Sequence, residues 1–140
     1  MEFRRGVSLV VYRKEKDKTL YLVLKRRLRW IGYELIKCGK FKGESDIQII
    51  KRELREETSL KPKKIINLNY TTKFIYPKKH QSVWNKKGFV GKCYAIEAKG
   101  KIKLNKEHSS YKWLTFKKAI KIITFKEAKK ILRIANKKLR

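Results

Sequence analysis

Five acidic residues, Glu44, Asp46, Glu53, Glu56 and Glu57, crowd one short stretch of a 140-residue chain that holds only twelve Asp and Glu in all. On a helix, positions 53, 56 and 57 are related by i, i+3 and i+4, which puts three carboxylates on one face. Like charges at that spacing repel and destabilise a helix unless something offsets them. Arg52 and Arg55 can supply part of the offset. A hard divalent cation supplies more, because Mg²⁺ binds through carboxylates, waters and substrate phosphates. An arbitrary charge run is ordinarily a solvated helix face. Here the acids cluster inside a chain with forty Lys and Arg and a formal net charge of +28, so the background argues against accident.

The elements that must position these carboxylates can be read from pattern. Ile47, Ile50 and Leu54 recur at helical spacing over residues 46–58. Ser45 has the character of an N-cap, and Gln48 three residues on completes a capping box. Upstream, residues 6–13 (GVSLVVYR) and 19–27 (TLYLVLKRR) read as strands, with the polar residues 14–18 as a hairpin connection. The stretch from Trp30 to Phe41 reads as a short strand and loop. Downstream, residues 65–76 and 88–98 read as strands flanking a polar loop, 78–87, that contains His80 and Trp84. A short apolar segment, 111–114, precedes two helical patterns, 116–123 and 125–139. The second places Ala128, Ile131, Leu132 and Ala135 on one face. Strands, helix, strands and helices in that order suit an α/β chain with a mixed sheet packed between helices.

The spacing of the acidic stretch also carries a resemblance. Residues 43–60, GESDIQIIKRELREETSL, are similar to the Nudix box, Gx5Ex7REUxEExGU with U aliphatic. Glu44 is followed by seven residues and then by Arg52, Glu53, Leu54, Arg55, Glu56 and Glu57, as the pattern requires. Three positions depart from it. Ser59 stands where the pattern has Gly, Cys38 stands at the leading Gly with Gly39 beside it, and Ile36 replaces a proline seen in many relatives. The resemblance implies the Nudix fold, an α/β/α sandwich, and Mg²⁺-dependent (or Mn²⁺-dependent) cleavage of a pyrophosphate bond in a nucleoside diphosphate derivative. By match to the motif, Glu53, Glu56 and Glu57 would coordinate the metal, one of them serving as base. Arg52 would orient them, and Glu44 would support the site by coordination or hydrogen bonding. Lys37 and Lys40 in the preceding loop would hold further phosphate oxygens.

Residues 107–132, EHSSYKWLTFKKAIKIITFKEAKKIL, look like the C-terminal region of the asymmetric dinucleoside tetraphosphate hydrolases. The loop GYELIKCGKFKGES is similar to theirs as well. The dATP and dihydroneopterin triphosphate pyrophosphohydrolases share the EHxxYxWL segment, so it separates the two subgroups poorly. The first resemblance implies that Tyr111 stacks on a purine base, with Trp84 or Tyr76 as the opposing surface. Aromatics on a short strand are usually core, which is the plainer reading of Trp113 and competes evenly for Tyr111. Glu97, in FVGKCYAIEA, sits where relatives carry an additional carboxylate that binds metal or serves as base. His108 and His80 read as structural residues. A dinucleoside tetraphosphate is the first-choice substrate. The alternatives are a nucleoside triphosphate, the 5′ end of an RNA, or, in a different class, RNA bound without turnover.

Composition sets the outer bounds. Neither an internal repeat nor a Gly/Ser linker is visible, and residues 1–140 read as one domain. No apolar run approaches the roughly 20 residues that span a bilayer. No targeting segment is apparent, so the cytoplasm is the expected location, without a membrane or an obligate protein partner. The lysines are spread along the chain, which reads as a solvated surface that would bind nucleic acid nonspecifically at low salt. Cys38 and Cys93 lie far apart without metal-ligand spacing and read as free thiols.

Overall fold

The computed structural model describes residues 1–28 and 31–140, so the expected segment from Trp30 begins outside the described residues. Strand β1 (Phe3–Glu15) alternates between two cores. Val7, Leu9 and Val11 enter one, and Val10 and Tyr12 the other. A strand buried on both faces has no polar side, which is why its sequence is a near-continuous apolar run. Strand β2 (Lys18–Arg26) returns antiparallel through a tight turn in which Lys16 takes a φ of 55°.

One edge of β1 is forked. It pairs with β2 over Tyr12–Glu15 and with β4 (Ile36–Gly39) over Gly6–Leu9, both antiparallel. The β1–β4 approach depends on a glycine, because a Cβ on Gly6 would lie 1.7 Å from the Cys38 carbonyl oxygen. β3 (Gly32–Glu34) lies on one edge of β2 and β7 (His108–Leu114) on the other. The other edge of β1 takes β6 (Gly88–Lys99) in parallel, and β5 (Lys61–Ile75) closes the sheet against β6. The expected short strand and loop before the acidic stretch is thus two strands, β3 and β4, which serve different neighbours.

Helix α1 (Asp46–Thr58) has the bounds expected from its spacing. Ser45 Oγ accepts from the Gln48 amide at 3.2 Å, and Gln48 Oε1 accepts from the Ser45 amide at 2.9 Å. The reciprocal cap satisfies two of the donors a helix start leaves open. Ile49, Ile50 and Leu54 pack on the Val7–Leu9–Val11 side, and trimming Leu54 to Ala would cost about 2–5 kcal/mol. Helices α3 (Phe116–Ile122) and α4 (Lys126–Leu139) cover the opposite side through Ala119, Ile131, Leu132 and Ala135. Helix, sheet, helix is the α/β/α sandwich. Among the described residues no helix is long and apolar enough to cross a membrane.

One expected loop is a helix. Residues 78–84 form α2 (Lys78–Trp84), entered from Pro77 and closed by Asn85 in the left-handed region at φ 51°. The Gln81 amide side chain donates to the Tyr76 carbonyl at 2.9 Å. None of its residues is buried, so the segment has no apolar stripe from which periodicity could reveal it.

Candidate active site

Arg52 organises the carboxylates. Its Nε and Nη2 donate to Glu44 Oε2 and Oε1 at 2.7 and 2.8 Å, a two-pronged pairing that fixes both planes. Nη1 donates to Glu53 Oε1 at 2.7 Å and reaches Glu56 Oε2 at 3.4 Å. Nη2 also donates to the Gly39 carbonyl at 3.1 Å, tying α1 to the end of β4. The guanidinium lies 3.8 Å from the Phe41 ring centroid, so one face of the hub is covered by an aromatic. The hydrogen bonds from Arg52 and the Phe41 amide hold the Glu44 carboxyl below its ordinary range, despite some desolvation. Glu44 is thereby a hydrogen-bonding partner of Arg52 in this arrangement.

Beyond Arg52 the acids crowd around a buried carboxyl, Glu57. Glu57 is 6% exposed, and among the described residues its Oε2 has no hydrogen-bond partner. Burial first, then the nearby carboxylates of Glu53, Glu107 and Glu34, push the Glu57 carboxyl well above its ordinary value. Its carboxylate gathers ligand atoms on two sides. Cys38 Sγ and a Glu53 oxygen lie with it within 4.8 Å of one another, and so do a Glu107 oxygen and a His108 nitrogen. On the outer side His108 Nε2 is 2.7 Å from Glu34 Oε2, and Arg26 Nη1 donates to the same oxygen at 3.0 Å. Burial raises the Glu34 carboxyl, but the hydrogen bonds and charges of His108 and Arg26 outweigh it and leave the group lowered. A buried carboxylate cluster with an orphaned oxygen is the donor set a divalent cation satisfies.

Three cavities run on from this cluster. A charged one of about 340 Å³ holds Glu57, Glu107 and Glu34 opposite Arg4, Arg26, Lys37 and Lys86. It shares Glu34, Lys37 and Trp84 with an apolar pocket of about 300 Å³ formed largely by Phe74, Tyr76, Trp84 and Ile131. It shares Arg4 and Lys86 with a wider groove of about 690 Å³ lined by Phe3, Arg5, Lys40, Phe41 and Lys42. Lys37 stands between the first two. Its ammonium lies 4.8 Å from the Phe74 ring, 5.5 Å from those of Tyr76 and Phe89, and 5.9 Å from Trp84. Burial, with Arg4 and Arg26 adding to it against the pull of Glu34, brings its pKa down to about 8.

The residues singled out from sequence fall into three groups. Arg52, Glu44, Glu53, Glu56 and Glu57 converge as their spacing implies, with Glu56 the most exposed to solvent of the four carboxylates Arg52 serves or adjoins. Lys37 and Lys40 line cavities, as do Tyr76 and Trp84, whose rings meet edge to face at 4.5 Å. Glu97 and Tyr111 stand apart. Glu97 pairs with Tyr12 across the sheet, on the face of Cys93 and Ala95 away from α1, and reaches Lys63 at 3.7 Å. The carboxylate beside Glu57 is instead Glu107, the first residue of the EHSSYKWL segment. Tyr111 lies on β7 opposite Leu24, is 43% exposed, and lines none of the three cavities. Trp113, two residues on, packs against the α1-side core with Arg13 at 4.7 Å from its ring, in keeping with the plainer reading. Reading the sequence missed Glu107, Glu34, Arg26, Arg4 and Lys86. The acid beside His108 was the available signal for the first.

Fold and carboxylate helix together define the class. The NUDIX domain model matches residues 2–134, and the chain belongs to the Nudix family. It is a Nudix hydrolase, an enzyme that acts on phosphoric anhydride bonds of nucleoside diphosphate derivatives. Members of the family generally need a divalent cation, usually Mg²⁺.

Solved structures share the fold at low identity. A Caenorhabditis elegans Ap4A hydrolase, solved as a binary complex, is 24% identical over 97% of each chain, with a TM-score of 0.75. The Escherichia coli dihydroneopterin triphosphate pyrophosphohydrolase is 19% identical over 95% of this chain and 96% of its own, with a TM-score of 0.73. The NUDIX domain of Shewanella oneidensis NrtR, complexed with ADP ribose, is 18% identical over 100% and 90%, with a TM-score of 0.76. No curated protein sequence matches.

Proposed function

We propose that the enzyme hydrolyses dinucleoside polyphosphates, with a dinucleoside tetraphosphate cut to a nucleoside triphosphate and a monophosphate as the preferred reaction. The observation that carries this reading is the order of the cavities. A carboxylate-and-cation cavity lies between an aromatic pocket and a broad basic groove edged by Phe3 and Phe41. A mononucleotide needs one base pocket and a phosphate site. A substrate with a nucleoside at each end of a polyphosphate uses all three spaces.

In this reading Glu53, Glu56, Glu57 and Glu107 hold the divalent cation, and the orphaned Glu57 Oε2 is the atom most in need of it. When bound, the cation supplies Lewis acidity, neutralising the diphosphate and making water more acidic. Arg52 keeps Glu53 and Glu56 in one orientation, so their geometry need not be reorganised on binding. Arg4, Arg26 and Lys86 face the charge that develops on the phosphates, and Lys37 adds a cation while it is protonated. Phe74, Tyr76 and Trp84 offer the surface for one base.

The basic groove also favours a second substrate, the 5′-triphosphate end of an RNA, whose following nucleotides would lie along Arg5, Lys40 and Lys42. Anion-exchange analysis of products separates the two. With Mg²⁺ and, separately, diadenosine tetraphosphate, dATP, ADP-ribose and triphosphorylated RNA, the expected result is ATP plus AMP from the first, well ahead of the others. Pyrophosphate released chiefly from dATP or from RNA would overturn the dinucleotide reading.

A further inference from the structure

Cys38 is the departure from the box pattern that brings a new chemical group into the site. A glycine there contributes no side chain. In this chain a thiol stands at that place on β4, 1% exposed, facing α1. Its Sγ lies within 4.8 Å of a Glu53 oxygen and of a Glu57 oxygen, which also lie within 4.8 Å of each other.

A buried cysteine is most often a small hydrophobe in a core, and Cys38 does pack in one. Cys93 shows what that looks like in the same protein. It is fully buried on the other face of the sheet, and its thiol meets backbone groups, the Gly91 carbonyl at 3.9 Å and the backbone of Thr72. Cys38 differs by facing two carboxylates of the acidic helix. One of these, Glu57, is itself more than nine-tenths buried, and its Oε2 has no hydrogen-bond partner among the described residues. The dimensions suit a cation. With metal–sulfur bonds of about 2.3 Å and metal–oxygen bonds of about 2.0–2.2 Å, donors around one tetrahedral ion are spaced at about 3.3–3.7 Å. The three donors, each pair within 4.8 Å, would close inward onto the ion as it binds.

We propose that Cys38 is a metal ligand, and that with Glu53 and Glu57 it forms a thiolate-bearing centre selective for a borderline cation of the Zn²⁺ type over Mg²⁺. The inference rests on the reading that Glu53 and Glu57 hold the metal. Two carboxylates and water make a hard site. One sulfur among them shifts preference toward thiophilic ions. As the cation binds, the Cys38 thiol releases its proton to water, and no electrons change hands.

The test uses the intact protein with Co²⁺ as a spectroscopic probe under anaerobic conditions. The expected result is a near-ultraviolet thiolate-to-Co²⁺ charge-transfer band that saturates with the ligand-field bands of the bound ion. The band disappears in Cys38→Ser and Cys38→Ala and persists in Cys93→Ser. By competition, Zn²⁺ affinity falls about a hundredfold in Cys38→Ser, the upper end of what losing even a supporting partner costs a metal site. Mg²⁺ affinity stays near its starting value. If either Cys38 variant fails to fold, the spectrum of the unaltered protein decides alone. Co²⁺ bound to the unaltered protein without a charge-transfer band overturns the thiolate and leaves the carboxylate site standing. No Co²⁺ bound at all overturns both.

Discussion

Two ionic clusters meet at the charged cavity, and they are built on opposite plans. On α1 a single Arg52 is surrounded by Glu44, Glu53 and Glu56, with Glu57 buried just beyond its reach. On β4 a single Lys37 is surrounded by the rings of Phe74, Tyr76, Trp84 and Phe89. The first has too much charge of one sign, and burial with the neighbouring carboxylates pushes the Glu57 carboxyl well above its ordinary value. The second has one cation with little to solvate it, and its pKa falls to about 8. Each is stabilised by the opposite thing, a cation for the acids and an anion for the lysine. A diphosphate bound with a divalent cation brings both at once.

Glu57→Gln strikes the acid cluster hardest. The amide keeps the shape of the protonated acid but cannot become a carboxylate ligand. We expect turnover to fall about a thousandfold, the equivalent of several kcal/mol of lost charge stabilisation. Melting temperature should hold or rise, since a crowded buried acid is removed. Glu97→Gln, on the other face of the sheet, should leave turnover near its starting value. Steady-state kinetics with thermal melts check both. Near-normal turnover in Glu57→Gln would remove the metal site from α1, and a collapse in Glu97→Gln would restore that residue to it.

The contrast extends to what the sequence discloses. The signals that announce α1 are local. Ser45 and Gln48 cap it, and Arg52 and its carboxylates repeat at three and four residues, so spacing alone predicts the helix and its site face. The cage around Lys37 draws on β4, β5, α2 and β6, and no single segment carries its pattern. Lys37 itself was legible only through the resemblance, and as a phosphate ligand. Glu97 shows what a strand conceals. β6 is buried on both faces, with Tyr94 and Ile96 on one side and Cys93 and Ala95 on the other, so no polar alternation tells which face an acid occupies. Glu107 precedes β7 in irregular chain, where no periodicity operates.

Arg52→Lys sharpens the acid side. An ammonium can pair with one carboxylate but cannot span Glu44 with two prongs while holding Glu53 and the Gly39 carbonyl. Loss of such a ligand-orienting partner lowers activity by about 10–100-fold. A kcat loss of that size with a small change in melting temperature is the expected result. Equal loss of both would mean that Arg52 serves the fold more than the site.

The lysine side responds to pH. Lys37 titrates near 8 in the folded protein, below its ordinary 10.5, so between those values the unfolded chain holds more protons than the folded one. Stability therefore gains from this group as pH rises from about 8 toward 10.5. Substrate affinity runs the other way. Above pH 8 the amine is neutral, and KM should rise by about tenfold, the worth of one hydrogen bond to a charged group. Lys37→Met should have the raised KM at every pH and lack the stability gain. A KM that is flat through pH 8 in the unaltered protein would separate Lys37 from the phosphates.

Ser59→Gly should have the smallest effect and should touch one cluster alone. Ser59 ends α1 at φ 65°, where its Cβ is strained and glycine is not. Relief of about 1–2 kcal/mol is partly offset by the larger entropy a glycine loses on folding, about 0.5–1 kcal/mol. The Ser59 hydroxyl contact to the Lys103 carbonyl, at 3.5 Å, is too long to add much. The net gain is at most about 1.5 kcal/mol, a rise of a few degrees in the melting temperature of a domain this size. Because the Arg52 network fixes the carboxylates from the middle of the helix, kcat should not move, and the Lys37 midpoint should stay near 8. A shifted midpoint would show that the helix exit and the cage are coupled, and the two clusters would then form one unit.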